Sequence, residues 1–430
     1  MKLISYRYLP LNIFLLYTFF VMFALFFGPA QFRNMNFLYL ASFLIINTFI
    51  FVFFFIAGAK GIVKWEHKKS KNNFIEGSFF KFFLYSGLLL SIVAWGDFFV
   101  SGKSISISNM GTNYVDGYDG YVRGSSSIGF SYILNIFSVS LQTLSLLFIF
   151  SNYIFLNKKQ KLIACFVIFT YLIINVLVSG KQKYLGDIVI FFVYSYLIFS
   201  AVQNKRFSVS KILNYCFVFS VVVFSFSYIL TSRYAAIDID GSNIATALNS
   251  HVYWDSESII IKIFGNTFGF GIGMFLGYFT NGLYGLNLAL QLPFEWTYFL
   301  GNSYSLAKIV ETAISSPGLI LQHSYPFRAE ELGWGLDKWH SAFSWLASDL
   351  TFPGTLCFMA FFSFSYARVW IASINNSNPF ARPLFIYLSV GIVFVYSNNQ
   401  LVHSLSGVFV LFALVIMYFI YKFQSRQVYV

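Results

Sequence analysis

Five basic side chains fall where a water-facing surface could use them. Lys181 and Lys183 lie in SGKQKYLGD, a turn between two apolar runs, and Arg233 follows another run in TSRY. Arg328 lies in SYPFRAEELGWG and His340 in KWHSAFSWLASDL. A guanidinium presents a planar fork that matches two phosphate oxygens. Lysines beside a helix N-terminus add to the partial positive charge of its unpaired backbone N–H groups. Converging, the four cations would bind a pyrophosphate and stabilise it as a leaving group. His340, of a residue type with an ordinary pKa near 6.5, is the candidate base for a hydroxyl nucleophile.

Each of these residues also has a structural reading. The lysines would meet headgroup phosphates, Arg328 would pair with Glu330, Glu331 or Asp337, and His340 would be a hydrogen-bonded packing residue. If KWHSAFSWLASDL is helical, His340 shares a small, polar face with Ser344, Ala347 and Ser348, opposite Trp339, Phe343, Leu346 and Leu350. Asp349 would orient the imidazole or cap the span before Pro353 and Gly354, and the cap is the simpler role. The polar run SNNQ, 397–400, reads as interhelical hydrogen bonding.

The elements that must position these groups are apolar. With 58% hydrophobic and 10% charged residues in 430, the chain cannot enclose a soluble core, so it reads as an all-α polytopic membrane protein. Apolar runs at 9–30, 37–59, 79–100, 128–156, 162–178, 185–202 and 212–230 precede a long polar-flanked stretch. Three more follow it, at 352–372, 384–401 and 405–421. The first run is retained as an anchor, because no small-residue cleavage site follows it. KGIVKWEHKKSKNN, NKKQK, QNKRF and the Lys422/Arg426 tail read as cytoplasmic, which gives ten spans with both termini inside. SGKQKYLGD is then the one basic cluster on the outer side. The Tyr- and Gly-rich loop that carries Asp116, Asp119 and Arg123 is external too.

The resulting organisation is a seven-span bundle over 1–230, a large external segment over 231–350 and a three-span bundle over 351–430. The external segment holds ten of the sixteen acidic residues and three of the five histidines, His251, His323 and His340. Within it 259–292 is apolar, and Gly265, Gly269, Gly273, Gly277 and Gly285 recur at helical spacing with Asn281 between them. Such a stripe admits close packing, and the parity of spans tolerates a membrane-embedded hairpin here but not a single extra crossing. No nucleotide loop fits these glycines. The basic clusters are dispersed, which argues against nucleic acid. Cys165, Cys216 and Cys357 lie in apolar runs and read as packing residues. No HExxH is present, and a metal-independent mechanism without a cofactor is expected.

Three stretches resemble the bacterial O-antigen polymerases (Wzy), the oligosaccharide repeat-unit polymerases related to the O-antigen ligases. VSGKQKYLGD resembles the family's basic turn between two spans, with Lys181 and Lys183 where arginine is usual. YFTNGLYGLNLAL resembles its glycine-and-tyrosine helix. His340, followed by Asp349 and Gly354, resembles the stretch in which the ligases carry a functional histidine. The resemblance covers most of the chain as an arrangement of spans with one large late periplasmic segment. It implies a GT-C-like glycosyltransferase of the bacterial inner membrane that works at the periplasmic face. The growing glycan would pass from undecaprenyl pyrophosphate to the non-reducing end of a lipid-linked repeat unit, with a separate chain-length regulator as partner. Joined to the residue reading, Lys181, Lys183, Arg233 and Arg328 would hold the donor pyrophosphate, and His340 would activate or position the acceptor. A lipid-linked oligosaccharide flippase or transporter is the alternative class, and an O-antigen ligase the alternative enzyme.

Overall fold

The computed structural model describes residues 6–60, 77–101, 105, 130–179, 181, 183–203, 209–235, 239 and 251–427. It is mostly helical, at 79%. The first helices are α1 (Leu9–Phe27), α2 (Phe37–Ala59), α3 (Ser78–Ser101), α4 (Phe130–Asn152), α5 (Lys158–Leu172), α6 (Lys183–Val202) and α7 (Val209–Ala235). Then come α8 (Ile259–Ala289), α9 (Tyr304–Ala313), α10 (Tyr325–Arg328), α11 (Ala342–Ile374), α12 (Ala381–Phe394) and α13 (Leu405–Gln427). Two short strands, β1 (Ala30–Phe32) and β2 (Val252–Trp254), pair antiparallel.

Among the described residues nine helices are long and apolar enough to cross a membrane, and two shorter apolar ones are Val223–Ser232 and Ala381–Phe394. Their outward faces carry Leu16, Phe19, Phe49 and Phe361, each 69–71% exposed, a surface that only lipid solvates well. The chain is a multi-pass helical membrane protein. One expected span is shorter than its apolar run. The run 384–401 is helical only to Phe394, because Ser397 and Asn398 both donate backbone N–H groups to Phe394 O and close the helix in turns.

Two compact units divide the chain. Unit 1 comprises Met1–Lys60, Phe207–Arg368 and Gly391–Leu405. Its core stacks Phe14 on Phe51, ring centroids 4.0 Å apart, and Ser363 Oγ donates to Phe51 O at 2.6 Å to lock α11 against α2. Unit 2 comprises Gly61–Arg206, Val369–Val390 and Ser406–Val430. In it Phe83 stacks on Phe148, with centroids 4.5 Å apart, and Trp95 Nε1 donates to Thr170 Oγ1 at 2.9 Å. Asn157 and Gln160 form a capping box at the start of α5, which ends in a π-helical turn, Ile173–Val178.

Two helices of unit 1 are broken at one residue each. In α8 the break is at Gly265 (φ 72°, ψ 173°), in α11 at Thr351 (φ 65°, ψ 169°). At Gly265 the chain reverses, and a Cβ at Gly269 would lie 3.1 Å from Ile261 Cα, so 259–264 folds back on the longer arm. The stretch thus has one long arm, 266–289, with a short arm doubled against it.

Both ends of this excursion return to the α1–α2 connection. Asp255 N–H donates to Pro29 O at 2.8 Å as the excursion begins. Asn36 N–H donates to Asn287 Oδ1, also at 2.8 Å, as it ends. The segment therefore begins and ends at the same end of α1 and α2.

Candidate functional site

The long arm of α8 organises a polar layer at that end of unit 1. Ser341 N–H donates to Gly282 O at 3.1 Å, and a Cβ at Gly282 would lie 2.3 Å from Tyr396 O. A turn later, a Cβ at Gly285 would lie 2.6 Å from His340 Nδ1. Only glycine lets the two loops seat this closely on the helix. Tyr284, between them, is fully buried and stacks on Phe32, centroids 4.9 Å apart, with Trp334 edge-on.

His340 is not on a helix. Ser341 Oγ accepts the Ser344 N–H at 3.3 Å and caps α11, so the histidine stands just before the cap, in an irregular turn. It is 1% exposed, not open to solvent. Nε2 sits 2.9 Å from Gly335 O, which fixes the proton on that nitrogen and leaves Nδ1 as an acceptor. Nδ1 has no hydrogen-bond partner. Burial, opposed by the Gly335 hydrogen bond and the charge of Asp337, lowers the pKa to about 4, so the ring is neutral at pH 7. The buried hydroxyl of Tyr284 and the Nδ2 of Asn287 are also without partners. Three unpaired buried polar groups thus fall on, or against, one turn of α8.

The cations are arranged differently from the expectation. Arg328 donates from Nη1 to Pro293 O at 2.7 Å and pairs through Nη2 with Glu295 Oε1 at 3.1 Å, not with Glu330, Glu331 or Asp337. Glu295 Oε2 also meets His323 Nδ1 at 2.7 Å. Lys183 opens α6 and pairs with Asp187 one turn on, 3.3 Å away. Lys181 is exposed, and its backbone N–H closes the π-turn onto Asn175 O. Arg233 lies in the last turn of α7, with its side chain outside the described residues. Lys181 and Lys183 belong to unit 2, whereas Arg233, Arg328 and His340 belong to unit 1. Convergence of the four on one anion therefore remains an expectation, and two of them already have carboxylate partners.

Asp349 neither orients His340 nor caps the span. Its Oδ1 accepts from Thr297 Oγ1 and, at 3.0 Å, from Gly301 N–H, and its Oδ2 accepts from the Asn302 N–H and Nδ2 at 2.8 and 2.9 Å. These bonds clasp a loop in which Tyr298 and Phe299 have positive φ and, with Phe294 and Trp296, face outward. Asn399 of the SNNQ run donates to Asn302 O at 2.9 Å and holds the loop from the other side.

Sequence reasoning missed Tyr284, Asn287 and the Glu295–Arg328–His323 cluster. The signal available for the first two was their place in the glycine-rich turn NGLYGLN. The metal-independent expectation also passes over Asp238-Ile239-Asp240, which has DxD spacing; both aspartates lie outside the described residues. Among the described residues no three His, Cys, Asp or Glu side chains are grouped to hold a metal ion. No protein-family model, curated protein or solved structure matches this chain.

Proposed function

We propose that the protein is a surface-polysaccharide (O-antigen) polymerase of the bacterial inner membrane. It would transfer a growing glycan from a polyprenyl, by resemblance undecaprenyl, pyrophosphate onto a lipid-linked repeat unit. The observation that carries this reading is the trio of unpaired buried groups on one turn of α8: His340 Nδ1, Tyr284 hydroxyl and Asn287 Nδ2. A buried polar group without a partner costs about 1–3 kcal/mol, so a site with an acceptor, a hydroxyl and an amide donor suits a ligand rich in hydroxyls.

In this reaction the anomeric C–O bond to pyrophosphate breaks and a bond to the acceptor oxygen forms. The acceptor proton passes to His340 Nδ1 or to the departing pyrophosphate. With a pKa of about 4, His340 orients the hydroxyl more than it stores its proton. Arg233 and the partly neutralised Arg328, both of unit 1, would supply positive charge for the leaving group. A separate chain-length regulator belongs to this proposal by resemblance.

A transporter class is less well supported. Charged residues in the described spanning helices lie within about two turns of a helix end, not at mid-span where a translocation site would sit.

Complementation of a host lacking the gene tests the proposal, read as surface-polysaccharide banding on gels. The intact protein restores a ladder, and His340→Ala or Arg233→Ala at matched expression leaves core with a single repeat unit. Core without any repeat in the deletion, with lipid-linked glycan accumulating, would indicate a ligase or flippase instead.

A further inference from the structure

The buried guanidinium of unit 2 is a second charged group that the proposed reaction leaves unused. Arg382, in the first turn of α12, is 3% exposed. Its Nε donates to Ser373 O over a long 3.4 Å, and its Cζ lies 5.3 Å from the Phe155 ring centroid. No carboxylate pairs with it among the described residues. A buried guanidinium carries its full charge out of water, and without a carboxylate beside it that charge is costly.

The neighbourhood is basic. Asn378 Nδ2 donates to Tyr418 O at 2.9 Å, and Phe380 packs on Tyr421, Phe79 and Phe148, with centroids 6.1, 5.2 and 6.1 Å away. These contacts gather the start of α3, the end of α4, the start of α12 and the end of α13 at one end of unit 2. Lys81, Lys158 and Lys159 are exposed on the elements that begin there. The two acidic residues described in unit 2, Asp97 and Asp187, lie at the opposite ends of their elements, Asp97 in the last turn of α3 and Asp187 beside the end of α5.

We propose that Arg382 is the centre of an anion site that takes a phosphate group at this end of unit 2. A planar fork beside a helix N-terminus is suited to two phosphate oxygens, and the lysine rim raises the local concentration of anions. The phosphate would come from an anionic phospholipid headgroup or from a free phosphate. The site is independent of the glycosyl-transfer proposal.

The test is thermal unfolding of the purified full-length protein in detergent, followed by tryptophan fluorescence. Phosphatidylglycerol, phosphatidylcholine, inorganic phosphate and sodium chloride at matched ionic strength are added separately. The intact protein is expected to unfold at higher temperature with phosphatidylglycerol than with phosphatidylcholine or chloride. At one hundred times Kd the folded-to-unfolded ratio rises about 100-fold. A response to phosphatidylglycerol alone identifies a headgroup site, and an equal response to inorganic phosphate identifies a free-anion site. Arg382→Gln should abolish the response, and Arg382→Lys, which keeps the charge but not the fork, should weaken apparent affinity about tenfold. An unchanged affinity in Arg382→Lys, an undiminished response in Arg382→Gln, or an intact protein that treats all four additives alike would overturn the proposal.

Discussion

His340 is held in a state that its sequence context does not reveal. Its folded pKa of about 4 lies below the ordinary value of 6.5, so the unfolded chain binds a proton that the folded chain refuses. The sign follows directly: stability is full above pH 6.5 and is lost as pH falls toward 4. The loss is about 3 kcal/mol over that window. His340→Gln should flatten this part of the profile, measured as the unfolding midpoint between pH 7 and pH 4.5. A profile as steep as that of the intact protein would contradict the buried, neutral imidazole. Asp349 shows the same gap between neighbours in sequence and partners in space. Pro353 and Gly354 nearby suggested a cap, but the donors that hold its carboxylate come from Thr297, Gly301 and Asn302. Arg328 likewise passes over Glu330 and Glu331 for Glu295.

At the scale of elements, hydropathy located most of the helices, because a lipid-facing helix must be apolar over its whole length. The breaks at Gly265 and Thr351 leave no such mark. Asn266 and Thr267 follow Gly265, too short a polar step to stand out in an otherwise apolar run, and a threonine at positive φ is imposed by its surroundings, not by its own preference. The glycine spacing in 265–285 did announce close packing, but not what packs. Gly277 and Gly285 belong to the same stripe and should behave oppositely. A Cβ at Gly277 meets only Asn281 atoms, the nearest 3.7 Å away, so Gly277→Ala should gain about 0.5–1 kcal/mol from reduced backbone entropy. A Cβ at Gly285 would collide with His340 Nδ1 at 2.6 Å, so Gly285→Ala should cost about 1–3 kcal/mol and displace the imidazole. Parallel thermal unfolding of the two variants checks both; equal effects would contradict the contact between α8 and the histidine turn.

For the whole molecule, the excursion through α8 decides which loops share a side of the membrane. Because it starts beside Pro29 and ends beside Asn36, single cysteines at the exposed positions Glu257 and Gln291 should react with a membrane-impermeant maleimide from the same side of intact cells. Labelling from opposite sides would make α8 a true crossing and reverse the sidedness of everything after it. The polymerase proposal needs the same-side result, because it keeps His340 on the side where Arg233 leaves α7. The claim that the polar layer on α8 performs glycosyl transfer is tested most directly with purified protein in liposomes. They would be supplied with a polyprenyl-pyrophosphate-linked repeat unit and no nucleotide sugar. The account predicts a ladder of lipid-linked oligomers with stoichiometric release of polyprenyl pyrophosphate, at least 100-fold slower in His340→Ala that remains folded. Unchanged substrate with the intact protein, or a ladder formed as fast by the folded variant, would contradict it.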